Sequence, residues 1–407
     1  MTSTSHGFVI VGASLAGAKA AETLRKEGFA GRVTLIGDEL HRPYERPPLS
    51  KGYLLGSAER ESVFVHPATW YAEHDVDLRL GTRATAVDAR GHEVHLADGD
   101  PLRYAALLLA TGSEPVRLTI PGADLDGVRY LRRLEDSEAL KAAFAEVGRV
   151  VVIGGGWIGL EVTAAARTAG LAVTVLEAAA LPLLRVLGPE VARVFADLHR
   201  EHGVDLRCGV HVERILGAGG RVTGVELGGG EVVGADLVVV GVGIRPNTAL
   251  AQGAGLAVEN GVLVDAHLRT SDPDVYAAGD VANAFHPFLE RRLRVEHWAN
   301  AMRQGPVAAR SMLGQDATYA RLPYFFTDQY DLGMEYNGYA GAEDRVVLRG
   351  DVAGREFIAF WLADGRVLAG MGVNIWDTTA DVTKLITSRR EVDLGRLANP
   401  DVPLRDV

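Results

Sequence analysis

A strand–turn–helix–strand pattern that occurs twice constrains this chain more than any other feature. Phe8-Val9-Ile10-Val11 is an apolar run closed by Gly12, followed by a helix of small residues from about Leu15 to Glu27 and a further run, Val33-Thr34-Leu35-Ile36. Val150-Val151-Val152-Ile153, closed by Gly154, repeats the arrangement, with a helix to about Ala169 and the run Val173-Thr174-Val175-Leu176. Unbroken apolar runs suit strands buried on both faces, the state of parallel strands covered by helices. Two βαβ units of this form read as two dinucleotide-binding folds in one chain. A length of 407 residues predicts two or three domains.

Small residues mark where the chain would leave one fold for the other. Leu107-Leu108-Leu109 ends in Ala110-Thr111-Gly112, and Leu237-Val238-Val239-Val240 ends in Gly241-Val242-Gly243 ahead of Arg245-Pro246-Asn247. Both read as crossings between domains. From about Leu322 the pattern changes. Phe357 to Leu362 and Val367 to Val373 alternate around Asp364-Gly365, a turn signal for an antiparallel hairpin, and a helix from about Thr379 to Ser388 follows. The expected fold class is α/β, with two Rossmann-like dinucleotide-binding domains and a C-terminal α+β domain.

Gly154-Gly155-Gly156-Trp157-Ile158-Gly159 fits G-x-G-x-x-G directly after a strand and at the opening of a helix. The first glycine allows the tight turn, the second lets backbone approach a pyrophosphate, and the third permits close helix packing. The phosphates would then sit over a helix N-terminus, where N–H groups and the dipole favour negative charge. Glu177 ends the next strand, where an acid hydrogen-bonds an adenine ribose. The first turn, Gly12-Ala13-Ser14-Leu15-Ala16-Gly17, departs from the pattern at Ser14. Its acid also comes one place late: Gly37 holds the position equivalent to Glu177, and Asp38 follows.

Composition narrows the function. A net charge of −11 argues against a nucleic-acid binder, which shows a basic footprint. No apolar run reaches the ~18 residues of a membrane span. Residues 1–6 are polar, with neither a basic region nor an apolar stretch, so no secretory signal is expected and the cytoplasm is the expected location. The one cysteine, Cys208, excludes an internal disulfide and a Cys-based metal cage, and reads as a packed thiol on a strand. His199 and His202, three apart on a predicted helix, read as surface histidines, and no metal site is expected. Arg291-Arg292-Leu293-Arg294 is either a solvated turn or a docking patch, and Arg389 with Arg390 is a second candidate patch.

Arg42-Pro43-Tyr44-Glu45-Arg46-Pro47-Pro48-Leu49-Ser50-Lys51 resembles the matching segment of FAD-dependent, oxygenase-coupled ferredoxin reductases of the biphenyl-dioxygenase and putidaredoxin type. Rubredoxin reductases and apoptosis-inducing factor share related segments. The resemblance runs over essentially the whole chain. It includes Gly156-Trp157-Ile158-Gly159-Leu160-Glu161, Ala278-Gly279-Asp280, Glu296-His297-Trp298-Ala299-Asn300-Ala301 and Tyr324-Phe325-Phe326-Thr327-Asp328-Gln329. It implies a glutathione-reductase-like arrangement. Residues 1–113 would be the first part of an FAD-binding domain, 114–242 an NADH-binding domain, 243–321 the second part of the FAD-binding domain and 322–407 the C-terminal α+β domain.

The same resemblance implies residue roles. Gly12, Ser14, Gly17 and Asp38 would hold the adenosine diphosphate of FAD, Arg46 would lie near its pyrophosphate or adenine, and Asp280 would bind its ribityl chain or phosphate. Leu15, Ala16, Ala110, Thr111, Gly112 and Gly279 complete the FAD set. Lys51 and Glu161 resemble a catalytic pair near flavin N5, and Trp298 a residue near the pyrimidine end. Phe326 stands where many relatives carry tryptophan against the ring, which leaves the electron path there open. Gly154, Gly156, Ile158, Gly159, Glu161, Glu177, Arg185 and Gly243 would hold NADH. A lysine near N5 supplies positive potential where hydride transfer delivers negative charge, and a carboxylate partner orients it.

Glutathione-reductase-like relatives carry a redox cysteine pair just after the first unit, and here that stretch has none. Electrons on the flavin must leave by another route, and a flavin can release them one at a time. The expected function is therefore an NADH-dependent reductase passing single electrons to a 2Fe–2S ferredoxin that feeds an oxygenase. Rubredoxin reduction and NADH oxidation are the alternatives within the enzyme class. An NADH-sensing signalling flavoprotein is the alternative outside it.

Overall fold

The computed structural model describes residues 7–407. Residues 1–6, on which the expectation of no secretory signal rests, lie outside the described residues. Two compact units are present, and the chain weaves between them. The first takes the chain up to Glu45, then Arg60–Glu114 and Ile244–Arg321. The second takes Arg46–Glu59, Pro115–Gly243 and Leu322–Val407.

The first unit is built on the apolar run Phe8–Val11, all four residues of which are buried. It pairs in parallel with Val33–Ile36 on one side and Ala106–Leu109 on the other. Val76–Arg79 and Val275–Ala277 extend the sheet at its two edges, also in parallel. The helix Leu15–Lys26 is rich in small residues because another helix, Trp298–Met312, lies close against it. A Cβ at Gly305 would meet the Ala16 carbonyl oxygen at 2.5 Å, so glycine is what allows the approach. This unit also holds a small antiparallel sheet not expected from the sequence, Ala84–Asp88 with Glu93–Leu96 and Leu102–Arg103.

The second unit contains the second parallel sheet, in the order Asp205–Cys208, Ala172–Glu177, Arg149–Ile153, Leu237–Val240, Val128–Arg129. It also contains an antiparallel sheet in the order Tyr324–Gln329, Leu332–Gly338, Arg366–Val373, Glu356–Ala363, Arg345–Asp351. The predicted hairpin turn is there: Asp364 and Gly365 both have positive φ, at 48° and 71°, as a two-residue turn with the strand twist requires. The helix Thr379–Ser388 matches its predicted span. Arg349, 8% exposed, ties down the end of this unit by donating to the carbonyls of Leu397, Asn399, Pro400 and Val402 at 3.2, 2.7, 3.1 and 2.6 Å. A further antiparallel sheet, Val212–Ala218, Arg221–Leu227 and Val232–Gly234, was also not foreseen.

The two glycine turns share one build. Gly12 and Gly154 have φ of +120° and +106°, and a Cβ on either would strike the end of the neighbouring strand, at Ala110 or Gly241. They differ in a reciprocal way that explains the displaced acid. In the second turn the residue after the first glycine is Gly155, whose N–H donates to Glu177 Oε2 at 2.6 Å. In the first turn the same position is Ala13, and a side chain at Gly37 would put its Cβ 2.6 Å from that of Ala13. An acid at the end of Val33–Ile36 and an alanine in the turn compete for one space, so the acid moves on to Asp38.

Gly37→Ala should therefore lower the melting temperature, at a cost of about 1–3 kcal/mol for overpacking. Adding Ala13→Gly should recover part of the loss. Strictly additive effects in the double variant would show that the two positions do not share space.

Candidate active site

Within the first unit, the helix Leu15–Lys26 begins at Ser14, whose side chain makes no capping bond, and its first turn carries no acid. Its leading N–H groups are thus uncapped by protein side chains, the condition in which a helix N-terminus takes a phosphate. Gly12, Ser14, Leu15, Ala16 and Gly17 are brought together here, with Ala110 behind Gly12 and Gly279 beside Ala16, its would-be Cβ 3.3 Å from that of Ala16. Gly279 N–H donates to Gln304 Oε1 at 2.8 Å, and Ser113 Oγ donates to Asp280 Oδ2 at 2.9 Å. Thr111 and Asn247 hold each other: Thr111 Oγ1 donates to the Asn247 carbonyl at 2.8 Å, and Asn247 Nδ2 to the Thr111 carbonyl at 2.9 Å. Asp38 lies exposed just beyond Val33–Ile36. Trp298 opens its helix beside His297, whose Nδ1 accepts from Ala299 N–H at 3.2 Å. These features suit the adenosine diphosphate end of FAD, with Asp280 already oriented.

In the second unit the helix Trp157–Thr168 also starts without a side-chain cap or a first-turn acid. Gly154, Gly156 and Gly159 form its turn. Glu177 is fixed by two backbone donors, Gly155 N–H to Oε2 at 2.6 Å and Ala179 N–H to Oε1 at 2.7 Å. One acceptor site remains on each oxygen, which suits the two hydroxyls of an adenine ribose. Ile158 is 46% exposed at the start of the helix. Arg185 is exposed in the first turn of Leu184–Glu201, and Gly243 has a φ of +113° with nothing near its would-be Cβ.

Glu161, on the helix Trp157–Thr168, is a buried acid. Its side chain is 4% exposed, and three donors converge on it. Lys51 Nζ donates to Oε1 at 2.7 Å, Thr327 Oγ1 to the same oxygen at 2.5 Å, and Ser50 Oγ to Oε2 at 2.5 Å. A carboxylate removed from water requires such donors, because an unpaired one costs several kcal/mol. The Lys51 ammonium, 17% exposed, also lies 5.4 Å from the centroid of the Phe326 ring. Lys51, Glu161 and Phe326, distant in sequence, are thus one cluster. Arg46, from the same segment as Lys51, donates to the Arg132 carbonyl.

Ser50 and Thr327 were missed as partners of Glu161, although both lie inside motifs that carried the family resemblance. His199 was misread. It is fully buried, and its Nε2 stands 2.9 Å from Gln329 Oε1. His202, on the same helix, stacks on Tyr330 at 3.7 Å between ring centroids. Cys208 is half-buried, and burial pushes its thiol pKa up, away from reactivity. In the first unit, Arg292 donates to the Val264 carbonyl at 2.6 Å and Arg294 pairs with Glu296, so both have structural partners.

Two pyrophosphate-type turns, and a buried carboxylate holding a lysine, define a dinucleotide-dependent oxidoreductase. Residues 6–305 match the family model described as pyridine nucleotide-disulphide oxidoreductase, and residues 324–407 the one described as reductase C-terminal. The ferredoxin–NAD(+) reductase component of the anthranilate 1,2-dioxygenase system of Burkholderia cepacia is 43% identical over 403 residues, with 98% of each chain covered. Putidaredoxin reductase of Pseudomonas putida is 39% identical, with 99% of this chain and 97% of that one covered. Among solved structures, a covalent putidaredoxin reductase–putidaredoxin complex matches with a TM-score of 0.94 at 38% identity, over 98% of this chain and 97% of that one. A ferredoxin reductase from Rhodopseudomonas palustris matches with a TM-score of 0.95 at 37% identity, over 98% of each chain. The chain belongs to the pyridine nucleotide-disulphide oxidoreductase family, in the branch of FAD-dependent ferredoxin reductases that its motifs resemble.

His199 also sets a pH dependence of stability. Burial pushes its pKa down to about 4, against a pull upward from Gln329. An unfolded histidine takes up its proton near 6.5, so between that pH and about 4 the unfolded chain binds more protons than the folded one. Stability should therefore fall as pH drops through this window, by up to on the order of 3 kcal/mol, with no further loss from this group below it. His199→Gln should flatten that part of the profile when melting is followed from pH 7 to 4. Equal slopes in wild type and variant would show that His199 does not contribute.

Proposed function

We propose that the protein is an NADH-dependent ferredoxin reductase that passes electrons singly to a 2Fe–2S ferredoxin feeding an oxygenase. FAD, when bound, supplies the centre that accepts a hydride and releases electrons one at a time. In this reading residues 1–113 and 243–321 hold FAD, 114–242 hold NADH, and 322–407 form the C-terminal α+β domain. The observation that carries the proposal is the buried Lys51–Glu161 pair in a chain with a single cysteine. Lys51 is the cation that meets the charge delivered by hydride transfer, Glu161 holds it, and no thiol pair is present to take the electrons onward. The reductases named above act in systems with such carriers, which supports the choice of acceptor. Among the described residues no helix is long and apolar enough to cross a membrane. A cytoplasmic location is part of the proposal, since NADH is made and used there.

The acceptor is the point to test. The protein carries a net charge of −11, so attraction to an acidic ferredoxin needs a local basic face. Arg390 and Arg405 line one hollow at the surface of the second unit, together with Lys384 and its ion-pair partner Asp381 at 2.9 Å, and the Arg389–Arg390 cluster is the face to test first. Raising salt from about 20 to 300 mM should lower ferredoxin-dependent reduction of cytochrome c while leaving flavin reduction by NADH nearly unchanged. Arg390→Glu should produce the same selective loss at low salt. Brisk reduction of rubredoxin or oxygen, with every 2Fe–2S ferredoxin inert, would overturn the proposal.

Nucleotide choice gives a second test. Glu177 offers one free acceptor position on each oxygen to a ribose diol, whereas a 2′-phosphate would meet a like charge. NADH should be preferred over NADPH by about a hundredfold in kcat/KM, at about 1.4 kcal/mol per decade. Equal efficiencies would exclude Glu177 as the discriminating residue.

A further inference from the structure

The strand Tyr324–Gln329 meets two helices of the second unit in two layers. Phe325, Thr327 and Gln329 alternate along the strand and so share one face. Trp157 and Glu161 are one turn apart on one helix, and Phe195 and His199 one turn apart on the other. The aromatic members meet: the Trp157 ring lies 5.0 Å from that of Phe325 and 5.5 Å from that of Phe195. The polar members form a second layer. Tyr330 OH and His199 Nδ1 are 3.3 Å apart, His199 Nε2 and Gln329 Oε1 2.9 Å, Gln329 Nε2 and Thr327 Oγ1 3.3 Å, and Thr327 Oγ1 and Glu161 Oε1 2.5 Å.

Donor inventory fixes the direction of this chain of bonds. A carboxylate can only accept, so the Thr327 hydroxyl gives its hydrogen to Glu161 and must accept from Gln329 Nε2. The Gln329 carbonyl then accepts, which requires a hydrogen on His199 Nε2 and leaves Nδ1 to accept from Tyr330. Every member has one role, and Thr327, 1% exposed, has no water to turn toward. Its hydroxyl meets the same Glu161 oxygen that holds the Lys51 ammonium.

We propose that Thr327 is a positioning residue for hydride transfer: by fixing Glu161 Oε1 it fixes Lys51. The inference rests on the reading of Lys51 as the cation that meets the transferred charge. It gives the C-terminal sheet a part in the NADH half-reaction, in addition to any part in handing electrons on. Without the hydroxyl, Glu161 keeps its bonds to Lys51 and Ser50 but gains freedom to rotate, and the ammonium moves with it.

Thr327→Val keeps the shape and removes the donor, whereas Thr327→Ser keeps the donor. In stopped-flow reduction of the holoenzyme by NADH, Thr327→Val should lower the limiting rate about tenfold and leave the apparent Kd for NADH within about twofold. Thr327→Ser should restore the rate. The flavin midpoint potential should fall in Thr327→Val, by less than in Lys51→Met, and return in Thr327→Ser. In a Lys51→Met background Thr327→Val should have little further effect on the rate, because its route of action is gone. A wild-type rate and potential in Thr327→Val, with Lys51→Met slow, would overturn the inference and leave the role of Lys51 standing. A slow Thr327→Val whose effect persists undiminished in the Lys51→Met background would overturn it as well, as a purely structural effect. Wild-type behaviour in both single variants would remove the role of Lys51 and the inference together.

Discussion

A carboxylate taken out of water must be surrounded by donors, and much of the second unit is organised around meeting that demand at Glu161. Its three donors come from stretches of chain far apart in sequence: Ser50 and Lys51 from the segment Arg46–Glu59, and Thr327 from the first strand of the C-terminal sheet. The helix that carries Glu161 is the helix whose N-terminus forms the second glycine turn. One buried charge therefore registers the turn, the lysine and the C-terminal sheet against each other. Oε1 keeps a donor if either Lys51 or Thr327 is lost, whereas loss of the Ser50 hydroxyl would leave Oε2 stranded in low dielectric, a larger penalty than the bond itself is worth in water.

The two nucleotide turns solve the same steric problem with different residues. Both need a first glycine at positive φ and a third glycine where helix meets strand. The residue after the first glycine is free to vary, provided that the residue at the end of the next strand varies with it. Gly155 with Glu177 and Ala13 with Gly37 are the two solutions. The first places an acid against the turn, and the second replaces it with a methyl group and carries the acid one residue further out.

Much of this was legible in the sequence because residue identity and geometry coincide at certain positions. Gly12 and Gly154 adopt φ values that side chains rarely tolerate, so a glycine after an apolar run announces the turn. Asp364-Gly365 announces its hairpin for the same reason. Glu161 and Lys51 were reached only through resemblance, since acids and lysines are usually solvated. Ser50 and Thr327 were not singled out. Their importance lies in contacts made across 111 and 166 residues of sequence, which spacing does not encode. His199 was misread because three-residue spacing says that two histidines lie near each other on a helix, and nothing about which face the strand Tyr324–Gln329 will cover. The partners of Arg292 were not legible either, because the Val264 carbonyl that it reaches lies 28 residues away.

The interleaved path of the chain has a consequence during synthesis. Ala106–Leu109 takes its second neighbour in the sheet from Val275–Ala277, which is made much later. At roughly 5–20 residues per second, the interval between Leu109 and Val275 leaving the ribosome lasts roughly ten to thirty seconds. Throughout that time an apolar strand presents an unpaired edge, the kind of surface that recruits other unfinished chains. The nascent protein is therefore a natural client for a holding chaperone. Translation that halts before Val275 would release a product lacking the strand that closes that edge, and clearance by proteolysis is its expected fate.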